Sequence, residues 1–228
     1  MSEKQISFIL SGAVLPLVID RLIVAGWVGK DQAALQKHID ELAELGIAPP
    51  SRTPTYMNLF PEILTSASRI GSVGNSSSGE VECIVVVDRE GRRYLGVGSD
   101  HTDREFEKFS IPASKQMCAK PVAEELWLFQ EVADHLDEIV MRSWMTIDGN
   151  KIPYQEGRLG DNRNIIELLQ NIPEGTVAAG ESCCLFCGTF AAHGGLKYGE
   201  RFEFEIFDPV LERRIAHGYD IEVLPQYL

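Results

Sequence analysis

The sequence is short of positive charge. Its 228 residues carry 21 Lys plus Arg against 34 Asp plus Glu, a formal net charge of −13. Phosphate binding needs a basic footprint, so nucleic acid is not an expected partner. The same charge argues against an anionic membrane surface. A charge sum does not locate charge, so anionic small molecules stay open. Long apolar runs are lacking as well. The stretch Ala13–Ile19 contains Pro16, meets Asp20 and Arg21, and is far too short to cross a bilayer. The first ten residues place Glu3, Lys4 and Gln5 before a short apolar run, without the basic start, long apolar region and small-residue cleavage site of a secretory signal. The cytosol is the expected compartment. Cysteines number five, an odd count, with Cys83 and Cys118 isolated and Cys183, Cys184 and Cys187 clustered. Reduced core thiols are expected rather than a disulfide framework. The Cys184-x-x-Cys187 spacing lacks the second pair that a zinc site would need.

Hydrophobic residues make up 44% and charged residues 24%, an ordinary globular balance. Residues 6–25 read as one or two strands, with 6–10 and then 22–25 as the apolar runs. Asp31 is a candidate N-cap for a helix with Leu35, Ile39, Leu42 and Leu45 at helical spacing, and Gly46 is its stop signal. Residues 50–79 are rich in loop formers and hold the run Ser76-Ser77-Ser78-Gly79. Residues 80–87 form a strand candidate dense in β-branched residues. A turn at 88–91 leads to a returning strand at 94–97. Residues 124–135 fit a strand or a short helix. Further strands are expected at 140–147, 183–187, 201–207 and 221–224, with a turn at Asp148-Gly149 and a short helix at 164–171. Regular helix is scarce after Gly46, so the fold class is a β-rich α+β chain.

Acidic residues converge in one place. Glu80 and Glu82 are two apart on a strand, so their carboxylates share a face. The hairpin brings Asp100 back towards them. Like charges beside a buried run need a cation or a proton, and oxygen ligands of this kind suit Mg2+, Mn2+ or Ca2+. The bland alternative is an exposed strand end. His38 and Glu41 lie one turn apart on the expected helix. They can form a pair that activates water or a plain surface pair. His135 and His217 have no evident partner in the sequence, and His193 sits in a small-residue loop.

Taken in order, these segments resemble the fumarylacetoacetate hydrolase superfamily over roughly residues 20–224. The residues that carry the resemblance are Leu22 to Gly26 followed by His38-Ile39-Asp40-Glu41, then Glu80-Val81-Glu82. Asp100-His101-Thr102-Asp103-Arg104-Glu105 and Ser114-Lys115-Gln116 come next. Asp148-Gly149 with Tyr154-Gln155-Glu156-Gly157, Gly188-Thr189-Phe190 and Gly199-Glu200 complete the set. The wording also resembles a less characterised bacterial branch catalogued as a domain of unknown function. Asp103, Glu105 and Phe190 depart from the family's usual Ala, Asp and Pro, and Lys120 rivals Lys115 for the lysine position.

The resemblance implies a mixed β-sandwich roll. Residues 1–50 would form an N-terminal strand and lid-helix segment and residues 51–228 the catalytic β-roll, one domain overall. It implies Mg2+ or Mn2+ on Glu80, Glu82 and Asp100, and Lys115 aiding the substrate oxygen by charge. His38 with Glu41 would activate water, and Arg104, Gln155 and Thr189 would bind or brace the substrate. The implied activity is hydrolysis of a C–C bond in an acylpyruvate-like or β-diketo acid through a developing enolate. Decarboxylation, isomerisation or hydration of 2-oxo acids is the alternative on the same fold, and a metal-binding module without turnover is the alternative of another class. A homodimer with a small 2-oxo or diketo acid as ligand is implied too.

Overall fold

The computed structural model describes residues 3–44 and 49–226. The chain opens with three strands, β1 (Lys4–Leu10), β2 (Ala13–Ile19) and β3 (Arg21–Gly26), where the sequence reading has one or two. The extra strand is the apolar stretch around Pro16. It pairs antiparallel with β1, from Lys4 opposite Ile19 to Leu10 opposite Ala13. Ser11 and Gly12, with φ of 50° and 81°, form the tight turn that a two-residue hairpin requires. Pro16 is tolerated because β2 is an edge strand, where a missing N–H need not break a ladder. Helix α1 (Gln32–Glu44) follows, and Asp31 Oδ1 accepts from Ala33 N at 2.9 Å as its cap. Leu35 and Ile39 are buried. Leu45 and the stop signal Gly46 lie outside the described residues.

Residues 50–79, expected as loop, contain four short strands: β4 (Thr55–Leu59), β5 (Leu64–Thr65), β6 (Arg69–Val73) and β7 (Ser77–Ser78). Three of the four pair with segments far along the chain, so local pattern carries little trace of them. The hairpin of β8 (Val81–Val87) and β9 (Arg93–Ser99) comes next. It leads into β10 (Thr102–Asp103), α2 (Arg104–Glu107), α3 (Ile111–Gln116) and β11 (Lys120–Pro121). The ambiguous stretch 124–135 contains both a strand and a helix, β12 (Glu125–Leu128) and α4 (Phe129–Val132). Strand β13 (Val140–Ile147) turns at Asp148-Gly149 into β14 (Asn150–Arg158), which the sequence pattern does not reveal. Its Pro153 sits beside a register shift at Ser143/Trp144, and β14 is an edge strand. Helix α5 (Ile165–Gln170), capped by Asn164, precedes β15 (Cys183–Phe186), β16 (Arg201–Asp208) and β17 (Arg213–Leu224).

Two larger sheets result. One has eight strands in the order β2-β1-β12-β9-β8-β15-β3-β4, the other five in the order β14-β13-β16-β17-β6. Strand β8 explains why the first is buried on both faces. Val81, Cys83 and Val85 join a core with Met141, Phe202, Phe204 and Ile206 of the five-stranded sheet. Ile84 and Val86 point the other way, into a cluster with Phe8, Leu17, Leu59, Leu126 and Phe186. That cluster draws on β2 and β4, the two ends of the eight-stranded order, so the sheet curls around it into a roll. Each fully buried Val or Ile contributes about 1.5–3 kcal/mol to this arrangement. Glu82 shares the parity of Ile84 and Val86, and burying it here is costly unless its charge is met. All five cysteines are buried free thiols. No helix among the described residues is long and apolar enough to cross a membrane.

Candidate metal centre

The β8–β9 hairpin builds the site. Glu80 stands just before β8, Glu82 is its second residue, and Asp100 follows the last residue of β9. Register places Val81 opposite Ser99, and Asp100 N donates to Glu80 O at 2.9 Å. One ligand oxygen from each of Glu80, Glu82 and Asp100 lies within 4.8 Å of the other two. Glu82 and Asp100 are buried, whereas Glu80 keeps 18% of its side chain exposed, so the cluster opens on the Glu80 side.

Cations surround the carboxylates. Lys115 Nζ donates to Asp100 Oδ2 and lies 3.3 Å from both Glu80 Oε2 and Thr102 Oγ1. Arg104 Nη2 is 3.1 Å from Glu80 Oε1, while its Nε donates to Ser78 Oγ at 2.8 Å and its Nη1 to Glu107 Oε2 at 3.2 Å. Lys120 Nζ is 3.2 Å from Asp100 Oδ1 and is fully buried. The two lysines thus occupy different places: Lys115 stands among the carboxylates, and Lys120 sits behind Asp100. Short helix α3 delivers Lys115, and Ser110 caps its start by accepting from Ala113 N. Asp103, the departure from the family's Ala, caps α2 by accepting from Phe106 N at 2.8 Å.

The charge states follow from this geometry. Burial, followed by Asp100 and Glu80, pushes the Glu82 carboxyl well above the usual carboxylate range. Burial alone would raise Asp100 too, but Lys115 and Lys120 outweigh it and hold the carboxyl low. Lys115 loses solvation, yet Asp100 and Glu80 keep its ammonium charged more firmly than usual. His101 is buried among cations, so its pKa falls to about 3 and the ring is neutral. This donor set fits a divalent ion. Asp100 Oδ1 is buried without a well-directed hydrogen bond, and Glu82 must otherwise carry a proton. All three ligand groups offer hard oxygens.

The other expected residues are placed differently. Gln155 Oε1 accepts from Val81 N at 3.0 Å and Ser143 Oγ at 3.1 Å. Its Nε2 donates to Thr189 Oγ1 at 2.8 Å and Phe190 O at 2.7 Å. Thr189 Oγ1 in turn donates to Val81 O at 2.7 Å. Gln155 therefore spends its whole hydrogen-bonding capacity on the protein, and together the two pin the Gly188-Thr189-Phe190 loop beside Glu82. His38 and Glu41 fall on α1, and their side chains lie outside the described part of the structure. His135 has a partner after all, Asp208 Oδ1 at 3.0 Å.

Sequence reasoning missed several supporting residues. Ser78 is hidden in a serine run. Ser99 and His101 flank Asp100 and, by strand alternation, turn to its opposite side. Both reach the Tyr219 hydroxyl, each at 2.9 Å. The period-two pattern could have flagged the first two of that trio, but Tyr219 lies 118 residues further on.

A family described as "Protein of unknown function (DUF2848)" matches residues 25–219. The chain belongs to that family. The matched DUF2848 segment includes the three carboxylates, both lysines and Tyr219. Among solved structures, fumarylpyruvate hydrolase from Pseudomonas aeruginosa in complex with Mn2+ and pyruvate superposes with a TM-score of 0.63. It is 16% identical, over 99% of this chain and 98% of that one. A hexagonal crystal form of 2-keto-3-deoxyarabinonate dehydratase gives a TM-score of 0.68 at 14% identity, over 91% and 75% of the two chains. 2-Keto-3-deoxy-D-arabinonate dehydratase complexed with magnesium and 2,5-dioxopentanoate gives 0.62 at 17% identity, over 90% and 74%. No curated protein matches the sequence. This DUF2848 chain therefore has the fold of the fumarylacetoacetate hydrolase superfamily.

Proposed function

We propose that the chain is a divalent-metal-dependent enzyme that hydrolyses a carbon–carbon bond in a small acylpyruvate-like or β-diketo acid. The observation that carries this reading is the carboxylate triad Glu80, Glu82 and Asp100, two of its members buried, with the Lys115 ammonium set against it. Ligands in the similar structures support its metal and its 2-oxo acid substrate class, though not the choice between hydrolysis and dehydration: Mn2+ with pyruvate in one, magnesium with 2,5-dioxopentanoate in another.

Glu80, Glu82 and Asp100 would hold Mg2+ or Mn2+, which when bound supplies a Lewis acid for the oxygens of a 2-oxo acid. Lys115 keeps its proton and offers fixed positive charge where negative charge develops on the substrate. Arg104 holds Glu80 in place from Ser78 and Glu107. Gln155 and Thr189 fix the loop whose Gly188 N–H reaches Glu82. His38, with Glu41 as its partner, would take a proton from the water that attacks the distal carbonyl. The bond between that carbonyl carbon and the methylene then breaks. Its electron pair moves to the 2-oxo fragment, which takes up a proton, and the other fragment leaves as a carboxylic acid. The acidity of the chain is consistent with an acidic substrate, because Lys115, Arg104 and Lys120 concentrate at this one place and a metal ion held by the triad would add to their charge.

A dehydratase reading has one observation in its favour, the TM-score of 0.68 to the arabinonate dehydratase. The deciding experiment is a panel of 2,4-dioxo and 2-oxo acids with Mg2+ and Mn2+, followed by loss of enol absorbance, carbon dioxide release and product analysis. Cleavage of a 2,4-dioxo acid to two acids is the expected result. Carbon dioxide or water loss alone moves the assignment to a lyase. Metal binding with no turnover across the panel leaves a binding module.

A further inference from the structure

Lys120 is fully buried, and its ammonium is surrounded by oxygen. Nζ donates to His101 O and to Lys115 O, both at 2.5 Å, and lies 3.4 Å from Cys118 O and 3.2 Å from Asp100 Oδ1. An ammonium has three donors. Two go to the short carbonyl contacts and the third to Cys118 O, while Asp100 Oδ1 meets the ammonium as an ion pair rather than as a directed hydrogen bond. Three main-chain carbonyls and one carboxylate make the kind of cage that a monovalent cation occupies. The owners of those oxygens matter more than their number. Lys115 is the residue whose side chain reaches Asp100 and Glu80, and His101 directly follows Asp100. One buried nitrogen thus ties the backbone beneath Lys115 to the backbone beside Asp100.

We propose that Lys120 is a tethered cation filling a carbonyl cradle, and that it is a positioning residue which sets Asp100 and Lys115 against each other at the carboxylate triad. This rests on the metal reading of the triad. Buried ammonium is costly to desolvate, and Asp100 alone does not explain its retention at this depth. Two short carbonyl bonds and an ion pair satisfy it. Charge and position make opposite predictions for its removal. On charge alone, deleting a cation 3.2 Å from Asp100 would tighten Mn2+ binding. Loss of position would weaken it, by roughly tenfold to a hundredfold as for other groups that orient metal ligands.

The test uses the full chain with Lys120→Ala, which leaves room for a small cation. Mn2+ affinity is measured in ethylammonium chloride and in tetramethylammonium chloride at equal ionic strength. The bulky ion does not fit the cradle. Affinity should fall at least roughly tenfold in tetramethylammonium and recover in ethylammonium, with the parent indifferent to the salt. Unchanged or tighter binding in the variant overturns the proposal, and so does weakening that ethylammonium does not reverse. Melting temperature is the second readout: ethylammonium should raise it in Lys120→Ala and leave the parent unaffected. If the parent binds no Mn2+, the metal reading fails, and Lys120 is judged on melting alone. If Lys120→Ala folds in neither salt, Lys120→Gln replaces it, keeping N–H donors without the charge. That variant should fold and bind Mn2+ more weakly. Parent-like affinity, or failure to fold there as well, overturns the proposal.

Discussion

The backbone N–H of Gly188 donates to Glu82 Oε2 at 2.7 Å, joining positions 106 apart in the chain. Gly188 has φ of +88°, and a Cβ there would stand 2.2 Å from Val28 Cγ2. The loop after β15 therefore reaches the buried carboxylate through a conformation that other residues adopt only under strain.

Gly188→Ala should destabilise the protein by about 1–3 kcal/mol through that backbone strain alone, with the Val28 contact adding to it. It should also weaken Mn2+ binding by roughly tenfold or more, because the strained loop shifts the backbone N–H that orients Glu82. Urea unfolding and Mn2+ titration check the two effects. Parent-like Mn2+ affinity would mean that Glu82 does not depend on the loop.

Glu82→Gln separates metal binding from folding. The side chain keeps its size, so the roll survives, and a buried carboxyl facing Asp100 and Glu80 is replaced by a neutral group. The metal-free variant should melt no lower than the parent near neutral pH. Metal at about 100 times its Kd stabilises the parent by about 2.7 kcal/mol, or roughly 5–10 °C for a chain of this size. The variant should lose most of that shift, and metal-dependent turnover with it. A full shift in the variant would remove Glu82 from the ligand set.

Much of the site was legible because strand geometry is local. Glu80 and Glu82 share a parity, and a hairpin of β8 and β9 must return Asp100 to them. Less legible were features that depend on distant partners. Strand β2 carries Pro16, which its edge position makes acceptable, and that position is set by tertiary pairing. Strands β6 and β14 take their place from β17 and β13, which no local period shows. Gln155 and Thr189 read as substrate contacts by motif order, yet their bonds run to Val81, Ser143 and Phe190. Whether a polar side chain faces a ligand or a carbonyl of its own chain is decided by tertiary packing.

Asp20 offers a test of the frame that carries the site. It accepts from Arg89 Nε at 2.9 Å and Nη2 at 2.6 Å, and from Ser182 N at 2.9 Å. It thereby links the corner between β2 and β3 to the β8–β9 turn and to the start of β15. The Arg89 guanidinium, helped by Ser182, holds the Asp20 carboxyl well below the usual carboxylate range despite its burial. A carboxyl depressed on folding stabilises the native state above its unfolded pKa, near 3.9. That contribution is lost as the pH falls from there towards the folded value. Asp20→Asn should therefore cost on the order of 1–3 kcal/mol at pH 7. The gap to the parent should narrow at pH 3, measured by urea unfolding at both values. A gap that is constant with pH would mean that the ionised carboxylate is not what Arg89 and Ser182 recognise.

Helix α1 tests the hydrolytic step apart from the metal. Positions 38 and 41 are one turn apart on a helix whose cap and inward residues, Leu35 and Ile39, fix its rotation. If His38 is the base that activates water, His38→Ala should lower kcat by roughly a hundredfold to ten-thousandfold and leave Mn2+ affinity within about twofold of the parent. Glu41→Gln should give a smaller loss in kcat, since orienting the imidazole matters less than having one. In the dehydratase alternative no water attacks a carbonyl, so the His38 variant should there keep most of its turnover. Equal losses of metal binding and turnover would place His38 among the ligands instead. The pair of measurements, Mn2+ titration and single-turnover kinetics on a 2,4-dioxo acid, thus distinguishes a base, a ligand and a bystander at the same residue.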